Sequence, residues 1–320
     1  MKACVDLGGT KIAVSLIPAT SEITFAQASS ALQSRRTEPT VKEGPPDALA
    51  SQVLRMLEQA CDAAGIRMQD LDAVGVSSCG PFVMRDGMLE ISNPNICGGL
   101  AGPARGLPND WVSVPLEAPL RSRFAEKLRV ENDGVGALQA ERRWGALQNL
   151  NHCAYVTWST GIGFGLCVDG RILRGKHGNA GHAGHSFVSD SSDALCGCGN
   201  MGDLEGVVAG NAIARRFASV GYPGASALFA AAQAGDAAAI AIVDELCRVL
   251  GRGLYNLVAT LDLERISMGG GVFWNHRDYL LPRLLMQIKG KLPALTDDFE
   301  LVAAGLGEKV GDFAALALVS

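Results

Sequence analysis

The chain has 320 residues, of which 48% are hydrophobic and 19% are charged, as in globular α/β enzymes with two domains of ordinary size. A net charge of −5 without any block of like charges argues against a nucleic-acid partner, and no apolar run approaches the ~20 residues of a membrane span. Nine cysteines, an odd number, and a start without a signal-peptide profile favour the cytoplasm.

The first predicted element is a β-hairpin whose tip is rich in glycine. Apolar strand patterns at 3–7 and 12–17 flank the run Gly8-Gly9-Thr10-Lys11, and Asp6 lies at the end of the first strand. Glycine amides can approach a phosphate without a clashing Cβ, and a carboxylate such as Asp6 can hold Mg²⁺ directly or through water. The hairpin indicates a turn that binds phosphate and Mg²⁺, although Gly-Gly-Thr is also common in hairpins without that role.

Further along, helical and strand patterns alternate. In chain order we predict a helix at 47–65, a buried strand at 71–77, a second hairpin at 153–168, and helices within 204–262 that are interrupted at 221–224. An apolar stretch at 265–268 and a terminal helix at 312–319 follow.

The tip of the second hairpin, Ser159-Thr160-Gly161-Ile162-Gly163, resembles the first tip but has no acid. It suits a second clamp on the β- and γ-phosphates. Two such hairpins, each opening a β-rich and then helical segment, predict an internally duplicated fold; the alternative is two unrelated hairpins.

In their order along the chain, the motifs resemble those of the ROK (repressor, open reading frame, kinase) family, glucokinase-like sugar kinases of the actin, hexokinase and Hsp70 ATPase superfamily. The resemblance runs from Met1 to about Ser320. The matching motifs are Asp6-Leu7-Gly8-Gly9-Thr10-Lys11, Cys79-Gly80-Pro81, Pro94-Asn95, Glu131-Asn132-Asp133, Ser159-Thr160-Gly161-Ile162-Gly163-Phe164-Gly165 and Gly269-Gly270-Gly271. In this sequence Gly80 and Pro81 are inverted relative to the family, and Ser159 replaces the usual glycine.

The resemblance implies the two-lobed actin-like ATPase (ribonuclease H-like) fold, an α/β fold with a duplicated βββαβα core and an interlobe cleft. We expect an N-terminal lobe at 1–117, joined by a C-terminal helix at 304–320, and a C-terminal lobe at 118–303. The implied activity is transfer of the γ-phosphate of ATP to the 6-hydroxyl of a hexose, with Mg²⁺ as cofactor.

The resemblance also implies the site residues. Sugar contacts are expected from Gly80, Asn95, Asn132, Asp133, His182, His185 and Glu205. ATP and its phosphates are expected at Asp6, Gly8, Gly9, Thr10, Lys11, Thr160, Gly161, Gly163, Gly270 and Gly271.

Asp133 is the expected catalytic base. Phosphoryl transfer to a hydroxyl needs a carboxylate within hydrogen-bond reach of the attacking oxygen, and Asn132 beside it would orient the sugar. Asn-Asp-Gly is also a frequent turn signal, so the residues alone leave both interpretations open. The surrounding family motifs favour the base.

A family signature rich in cysteine occupies residues 196–205, with Asp203 in place of the third cysteine. Zinc takes four ligands in a closed tetrahedral site, and His185, Cys196 and Cys198 supply three. A carboxylate oxygen of Asp203 can complete the set. The alternative is a loop without metal that hydrogen bonds hold.

His182 stands where the family commonly has a sugar-binding glutamate. Its imidazole can bond sugar hydroxyls but carries no permanent negative charge, so substrate preference is expected to differ from the commonest members. Glucose is the leading candidate, with N-acetylmannosamine, N-acetylglucosamine and fructose as alternatives. A surface-exposed His182 without a role is the other interpretation.

Two rivals belong to another functional class. The family includes repressors with an added N-terminal helix-turn-helix domain, but here the phosphate loop begins at Asp6 and we expect no such domain. A non-catalytic sugar-binding regulator would be expected to lack a key carboxylate, whereas Asp6 and Asp133 are both present. The oligomeric state stays open, with a homodimer among the alternatives.

Overall fold

A computed structural model describes residues 1–19, 32–100 and 106–320 of the chain. The described residues divide into two units. Unit 1 consists of Met1–Trp144, Arg174–Ala180 and Lys309–Ser320, and unit 2 of Gly145–Leu173 and Gly181–Glu308. Each unit has its own cluster of buried apolar side chains.

Unit 1 contains strands β1 (Lys2–Leu7), β2 (Lys11–Ile17), β3 (Gln33–Pro39), β4 (Ala73–Ser78), β5 (Phe82–Arg85), β6 (Met88–Ile91), β7 (Val114–Pro115) and β8 (Leu128–Asn132), and helices α1 (Ala48–Ala63), α2 (Glu117–Phe124), α3 (Asp133–Trp144) and α11 (Val310–Ala317). Unit 2 contains strands β9 (Cys153–Trp158), β10 (Ile162–Val168), β11 (Arg171–Ile172), β12 (Arg265–Gly269) and β13 (Glu300–Ala303), and helices α4 (Leu204–Val208), α5 (Gly210–Phe217), α6 (Ala225–Gln233), α7 (Ala237–Leu261), α8 (Gly271–Trp274), α9 (Arg277–Met286) and α10 (Pro293–Thr296).

The two units repeat one sheet topology. In unit 1 the strand order is β3-β2-β1-β4-β8, and in unit 2 it is β11-β10-β9-β12-β13. In both sheets the second strand of the hairpin is antiparallel to its neighbours, and the next three strands are parallel. The predicted duplication is therefore confirmed. A further small sheet, β5-β6-β7, extends unit 1.

The central strands are apolar because both faces of the sheet are covered. In β1, for example, Ala3, Val5 and Leu7 are fully buried on one face and Cys4 is 3% exposed on the other. Helix α1 packs against β2, whereas α11 packs against β1 and α3.

The C-terminal helix approaches the sheet of unit 1 closely because glycines face it. A Cβ at Gly75 of β4 would collide with the carbonyl oxygen of Ala315, and one at Gly136 of α3 would lie 3.2 Å from Cβ of Ala314. Small residues on both surfaces let the backbones approach. The expected return of the terminal helix to the first part of the chain is thus seen at α11.

Residues 118–144, which we expected in the second lobe, lie in unit 1. The reason is strand pairing, since β8 extends the first sheet as the parallel neighbour of β4. Residues 304–308, expected with the first lobe, lie in unit 2.

Within the described ranges, no single helix combines the length and the apolarity needed to cross a bilayer. Helices α6 and α7 have the required length and apolarity only when taken together, and the chain bends by 117° between them.

Candidate active site

The first hairpin turn lies at the carboxyl end of β1. The N–H of Gly8 donates to the carbonyl of Lys11 at 2.9 Å, and Thr40 Oγ1 donates to the carbonyl of Gly8 at 2.7 Å. A Cβ at Gly9 would lie 2.9 Å from Cβ of Asn95, so a larger residue would displace a predicted sugar contact. Thr10 and Lys11 are exposed at the tip. Gly8 and Gly9 therefore leave the turn without side chains at the position where phosphate is expected.

Asp6 lies beside this turn among other charged groups. Burial, and then the neighbouring Asp312, raise the pKa of Asp6 to about 6, while Lys11 and Arg35 act in the opposite direction. Arg35 holds Asp312 through a bond of 2.9 Å. A half-buried carboxylate beside a second acid favours a bound cation, which agrees with the expected Mg²⁺ ligand.

The expected base lies at the same edge of the sheet. Leu7 of β1 pairs with Ser78 of β4, and Ser78 pairs with Asn132 of β8, so the carboxyl ends of the three parallel strands are level. Asp133 follows directly as the first residue of α3. The topology thus brings Asp6, Gly80 and Asp133 to one edge.

Asp133 is exposed to solvent, although the surrounding protein partly desolvates its carboxylate. Its Oδ1 accepts the N–H of Gly134 at 2.8 Å, and Asn132 Oδ1 accepts the same N–H at 2.9 Å. Desolvation raises the pKa of Asp133 to about 6; the Gly134 N–H opposes this shift and Asp6 adds to it. A carboxylate in this range is ionised at neutral pH and still basic enough to accept a proton.

Asn93 is a site residue that the sequence reasoning missed. Its side chain is 8% exposed, its Nδ2 donates to the carbonyl of Gly80, and its Oδ1 accepts the N–H of Asn95 at 2.8 Å. Gly80 precedes a cis peptide bond to Pro81. Asn93 therefore joins two predicted sugar contacts, and the Asn-Pro turn signal could have drawn attention to it.

Segment 174–180 was missed as well. Arg174 Nε donates to Glu131 Oε1 at 2.6 Å, next to the Asn132-Asp133 pair. The side chain of Asn179 exchanges two hydrogen bonds of 2.7 Å with the backbone of Phe82. Both contacts support elements that carry predicted site residues, and neither has a short-range signal in the sequence.

In unit 2, the tip of the β9–β10 hairpin is held from several sides. The N–H of Ser159 donates to the carbonyl of Gly161 at 2.9 Å. The amides of Gly210 and Asn211, at the start of α5, donate to the carbonyls of Ser159 and Thr160 at 2.8 and 3.1 Å. Gly163, by contrast, lies within β10 itself.

The Gly269-Gly270-Gly271 run joins β12 to α8. Gly270 has φ of 88°, and a Cβ there would lie 2.6 Å from Thr157 Oγ1 of β9. Only glycine fits this left-handed position. Gly270 and Gly271 therefore lie beside β9, the strand that leads into the second hairpin tip, where phosphate binding is predicted.

The four candidate zinc ligands form one cluster in unit 2. Donor atoms of His185, Cys196, Cys198 and Asp203 all lie within 4.8 Å of one another. His185 Nδ1 is 3.0 Å from Asp203 Oδ2, 3.6 Å from Cys196 Sγ and 3.5 Å from Cys198 Sγ. Asp203 Oδ1 caps α4 by accepting the N–H of Gly206 at 2.7 Å, which leaves Oδ2 to face the cluster.

Charges in the cluster are strongly coupled. Hydrogen bonding to Asp203 raises the pKa of His185, although burial opposes the shift. Burial would raise the pKa of Asp203, but bonds from His185 and the Gly206 N–H outweigh it and the pKa is lowered. Burial raises the pKa of both the Cys196 and Cys198 thiols. His182 lies next to the cluster, and its ring stacks on His185 with centroids 6.1 Å apart.

A sequence model of the ROK family matches residues 2–320. The chain belongs to the ROK family. Among ROK relatives, a glucokinase of Aeropyrum pernix is 30% identical over 284 residues, which cover 82% of this chain and 84% of that protein. An N-acetylmannosamine kinase of Citrobacter koseri is 30% identical over 269 residues, or 84% of this chain and 82% of that protein.

A solved structure of a ROK glucokinase from Streptomyces griseus, in complex with glucose and AMPPNP, is also similar. It has a TM-score of 0.71 and 25% identity, and the match covers 98% of this chain and 97% of that one. ROK sugar kinases have the two-lobed actin-like ATPase fold, so the expected fold class is confirmed. The roles assigned to individual site residues stay predictions.

Proposed function

We propose that this ROK protein transfers the γ-phosphate of ATP to the 6-hydroxyl of a hexose, with glucose as the leading substrate. The observation that carries the proposal is the accessible Asp133 carboxylate at the sheet edge that also holds Asp6 and the first phosphate hairpin. The glucokinase relative and the glucose–AMPPNP complex of the Streptomyces griseus enzyme support the choice of sugar and nucleotide.

The residues divide the reaction among them. Asp133 accepts the proton of the 6-hydroxyl while that oxygen bonds to the γ-phosphorus. The bond between the γ-phosphorus and the oxygen that bridges it to the β-phosphate breaks, and ADP is released. Asn132, Asn95 and Gly80 orient the sugar. The two hairpins hold the phosphates through backbone amides. Mg²⁺ near Asp6 would neutralise phosphate charge.

N-acetylmannosamine is the second candidate substrate, and the relative from Citrobacter koseri supports it. His182, stacked on His185, is the residue most suited to decide between the two sugars. It offers a donor or acceptor where a glutamate would offer only acceptors.

Initial rates of ADP release should be measured with Mg·ATP and a panel of glucose, mannose, fructose, N-acetylmannosamine and N-acetylglucosamine. We expect the largest kcat/KM for glucose. A larger kcat/KM for an N-acetylated sugar would identify that sugar, and not glucose, as the preferred substrate. Sugar binding without any ADP release would instead support the regulator alternative.

The pH dependence of kcat/KM is expected to follow Asp133. Because the base acts only when deprotonated and its pKa is raised to about 6, activity should fall as the pH drops through 6. At pH 5 we expect about a tenfold loss relative to the plateau. The pKa of Asp6 is also raised to about 6, so the acid side of the pH profile reports the titration of Asp6 and Asp133 together. A profile that stays flat down to pH 5 would contradict the assignment of Asp133.

We further propose that His185, Cys196, Cys198 and Asp203 bind Zn²⁺. With ligand lengths of about 2.3 Å to sulfur and about 2.0 Å to nitrogen and oxygen, donors of a tetrahedral site lie roughly 3.3–3.8 Å apart. Four of the six separations between the donor atoms lie between 3.0 and 3.6 Å, close to that range, and all six are within 4.8 Å. The residues therefore fit the ion, which would crosslink the loop at 182–203 to the start of α4.

Purified protein is expected to contain about one zinc per chain by elemental analysis. Asp203→Cys should be tolerated and should retain metal better against a chelator, because a thiolate is a softer ligand. His185→Ala should lose metal faster. Metal-free protein with full activity and unchanged stability in chelator would refute the zinc site and leave Asp133 unaffected.

A cytoplasmic location is also proposed. None of the nine cysteines forms a disulfide, and all but Cys198 are buried, which agrees with a reducing compartment. Homodimer formation remains a proposal.

A further inference from the structure

Glu205, the second residue of α4, contacts two functional elements of unit 2 at once. Its Oε2 accepts the N–H of Ile162, at the base of the second hairpin tip, at 3.1 Å. Its Oε1 accepts the thiol of Cys196 at 3.4 Å. One carboxylate therefore lies between the hairpin and the four-residue cluster.

The hairpin is shaped to receive this carboxylate. A Cβ at Gly161 would lie 2.8 Å from Glu205 Oε2 and 3.6 Å from its carboxyl carbon, with no other atom within 4 Å. A side chain at position 161 would therefore displace the Glu205 carboxylate from its present position. The φ of Gly161 lies outside the left-handed region, so alanine would be accepted by the backbone itself.

The position of Glu205 is in turn fixed by the cluster. Asp203 caps α4 through Oδ1, while its Oδ2 contacts His185 and Cys198. The start of α4 is therefore tied to the cluster at Asp203, two residues before Glu205. A displacement of Asp203 would therefore be passed through the start of α4 to the carboxylate that accepts the Ile162 N–H.

We propose that Glu205 is a positioning residue that couples the Cys196–Asp203 cluster to the second phosphate hairpin and so sets nucleotide affinity. The inference rests on the proposed kinase function. It adds to the expected sugar contact of Glu205, because a carboxylate can accept about four hydrogen bonds and two are used here. A sugar contact alone would change sugar affinity and leave nucleotide affinity unchanged.

The test is calorimetric titration of metal-loaded protein with Mg·AMPPNP in the absence of sugar. Glu205→Ala is expected to raise the nucleotide Kd about tenfold, because a charge-assisted hydrogen bond is lost and the tip is freed. Glu205→Gln keeps an acceptor for the Ile162 amide and should stay within about threefold of wild type.

Glu264→Ala is the matched control. Glu264 accepts the N–H of His152 at 3.0 Å, so it makes the same kind of bond just before β9, at the opposite end of that strand from the hairpin tip. Its loss should leave nucleotide affinity unchanged. Circular dichroism of each variant verifies that it is folded.

A double-mutant cycle tests whether Gly161 acts through Glu205. Gly161→Ala alone should weaken nucleotide binding. The nucleotide Kd of the double variant Gly161→Ala/Glu205→Ala should lie within about twofold of that of Glu205→Ala alone. Co²⁺ bound in place of zinc gives a second readout. Gly161→Ala should shift its visible absorption, because Glu205 Oε1 lies 3.4 Å from the Cys196 sulfur that would bind the metal as a thiolate.

The outcomes separate the two proposals. If wild type binds nucleotide and Glu205→Ala binds it equally well, the coupling is refuted and the kinase function stands. If wild type binds no nucleotide, the kinase function fails. In that case the cobalt spectrum of Gly161→Ala still decides the link, and an unchanged spectrum refutes it.

Discussion

Replacing Asp133 by asparagine is expected to lower turnover by more than about a hundredfold while sugar affinity stays within about threefold. The amide keeps the size of the side chain, and its oxygen can still accept the Gly134 N–H that Asp133 Oδ1 accepts at 2.8 Å. What it loses is the ability to take the proton of the attacking hydroxyl. Steady-state kinetics and calorimetric sugar titration measure the two effects separately.

The control for this variant is Asp278→Asn. The side chain of Asp278, at the start of α9, is 94% exposed, and Asp278 belongs to unit 2 whereas Asp133 belongs to unit 1. It should behave as wild type. An Asp133→Asn enzyme within tenfold of wild type would remove Asp133 from the mechanism.

Asp6→Ala is expected to abolish activity or to raise the Mg·ATP requirement by at least about a hundredfold. Asp6 is the carboxylate beside the first hairpin turn, where burial and the neighbouring Asp312 raise its pKa, so a nearby cation would stabilise its charged form. Free-sugar affinity should barely change, because the predicted sugar contacts of unit 1 are retained.

Asp6→Asn is the second variant. It keeps the side-chain volume next to Gly311, where an added Cβ would lie 3.2 Å from Asp6 Oδ2. Both variants should show the same loss. If calorimetry instead finds normal nucleotide affinity and lost sugar affinity, the first hairpin has been assigned to the wrong substrate.

The parts of the fold that the sequence predicted are those with local signals. Turn glycines between two apolar runs identify both hairpins, and the structure has them as β1–β2 and β9–β10. The break predicted at 221–224 falls where Gly221 adopts φ of 100° before α6 begins. Such features depend on neighbouring residues alone.

What the sequence could not predict depends on contacts between distant residues. The place of β8 and α3 in unit 1 follows from pairing with β4 and from packing against α11. The bond from Arg174 to Glu131 joins residues that are 43 positions apart. No periodicity or turn motif records these contacts.

The site shows the same division. The resemblance drew attention to Asp133 and Asp203, but the bond of Asn93 to the Gly80 carbonyl and the double contact of Glu205 emerge only from coordinates. Asp203 illustrates the reason. Its sequence position suggests a metal ligand, whereas in the structure Oδ1 caps α4 and only Oδ2 faces the cluster.

The most direct test of the central claim is to identify the product. Wild-type protein should be incubated with glucose and Mg·ATP, and the product examined by ¹H–³¹P correlation NMR, with 6-deoxyglucose as the control acceptor. We predict phosphate on the oxygen of C6, formed in equal amount to ADP, and no product from 6-deoxyglucose. Phosphate on another carbon, or ADP released at the same rate with 6-deoxyglucose, would contradict the proposed transfer to the 6-hydroxyl.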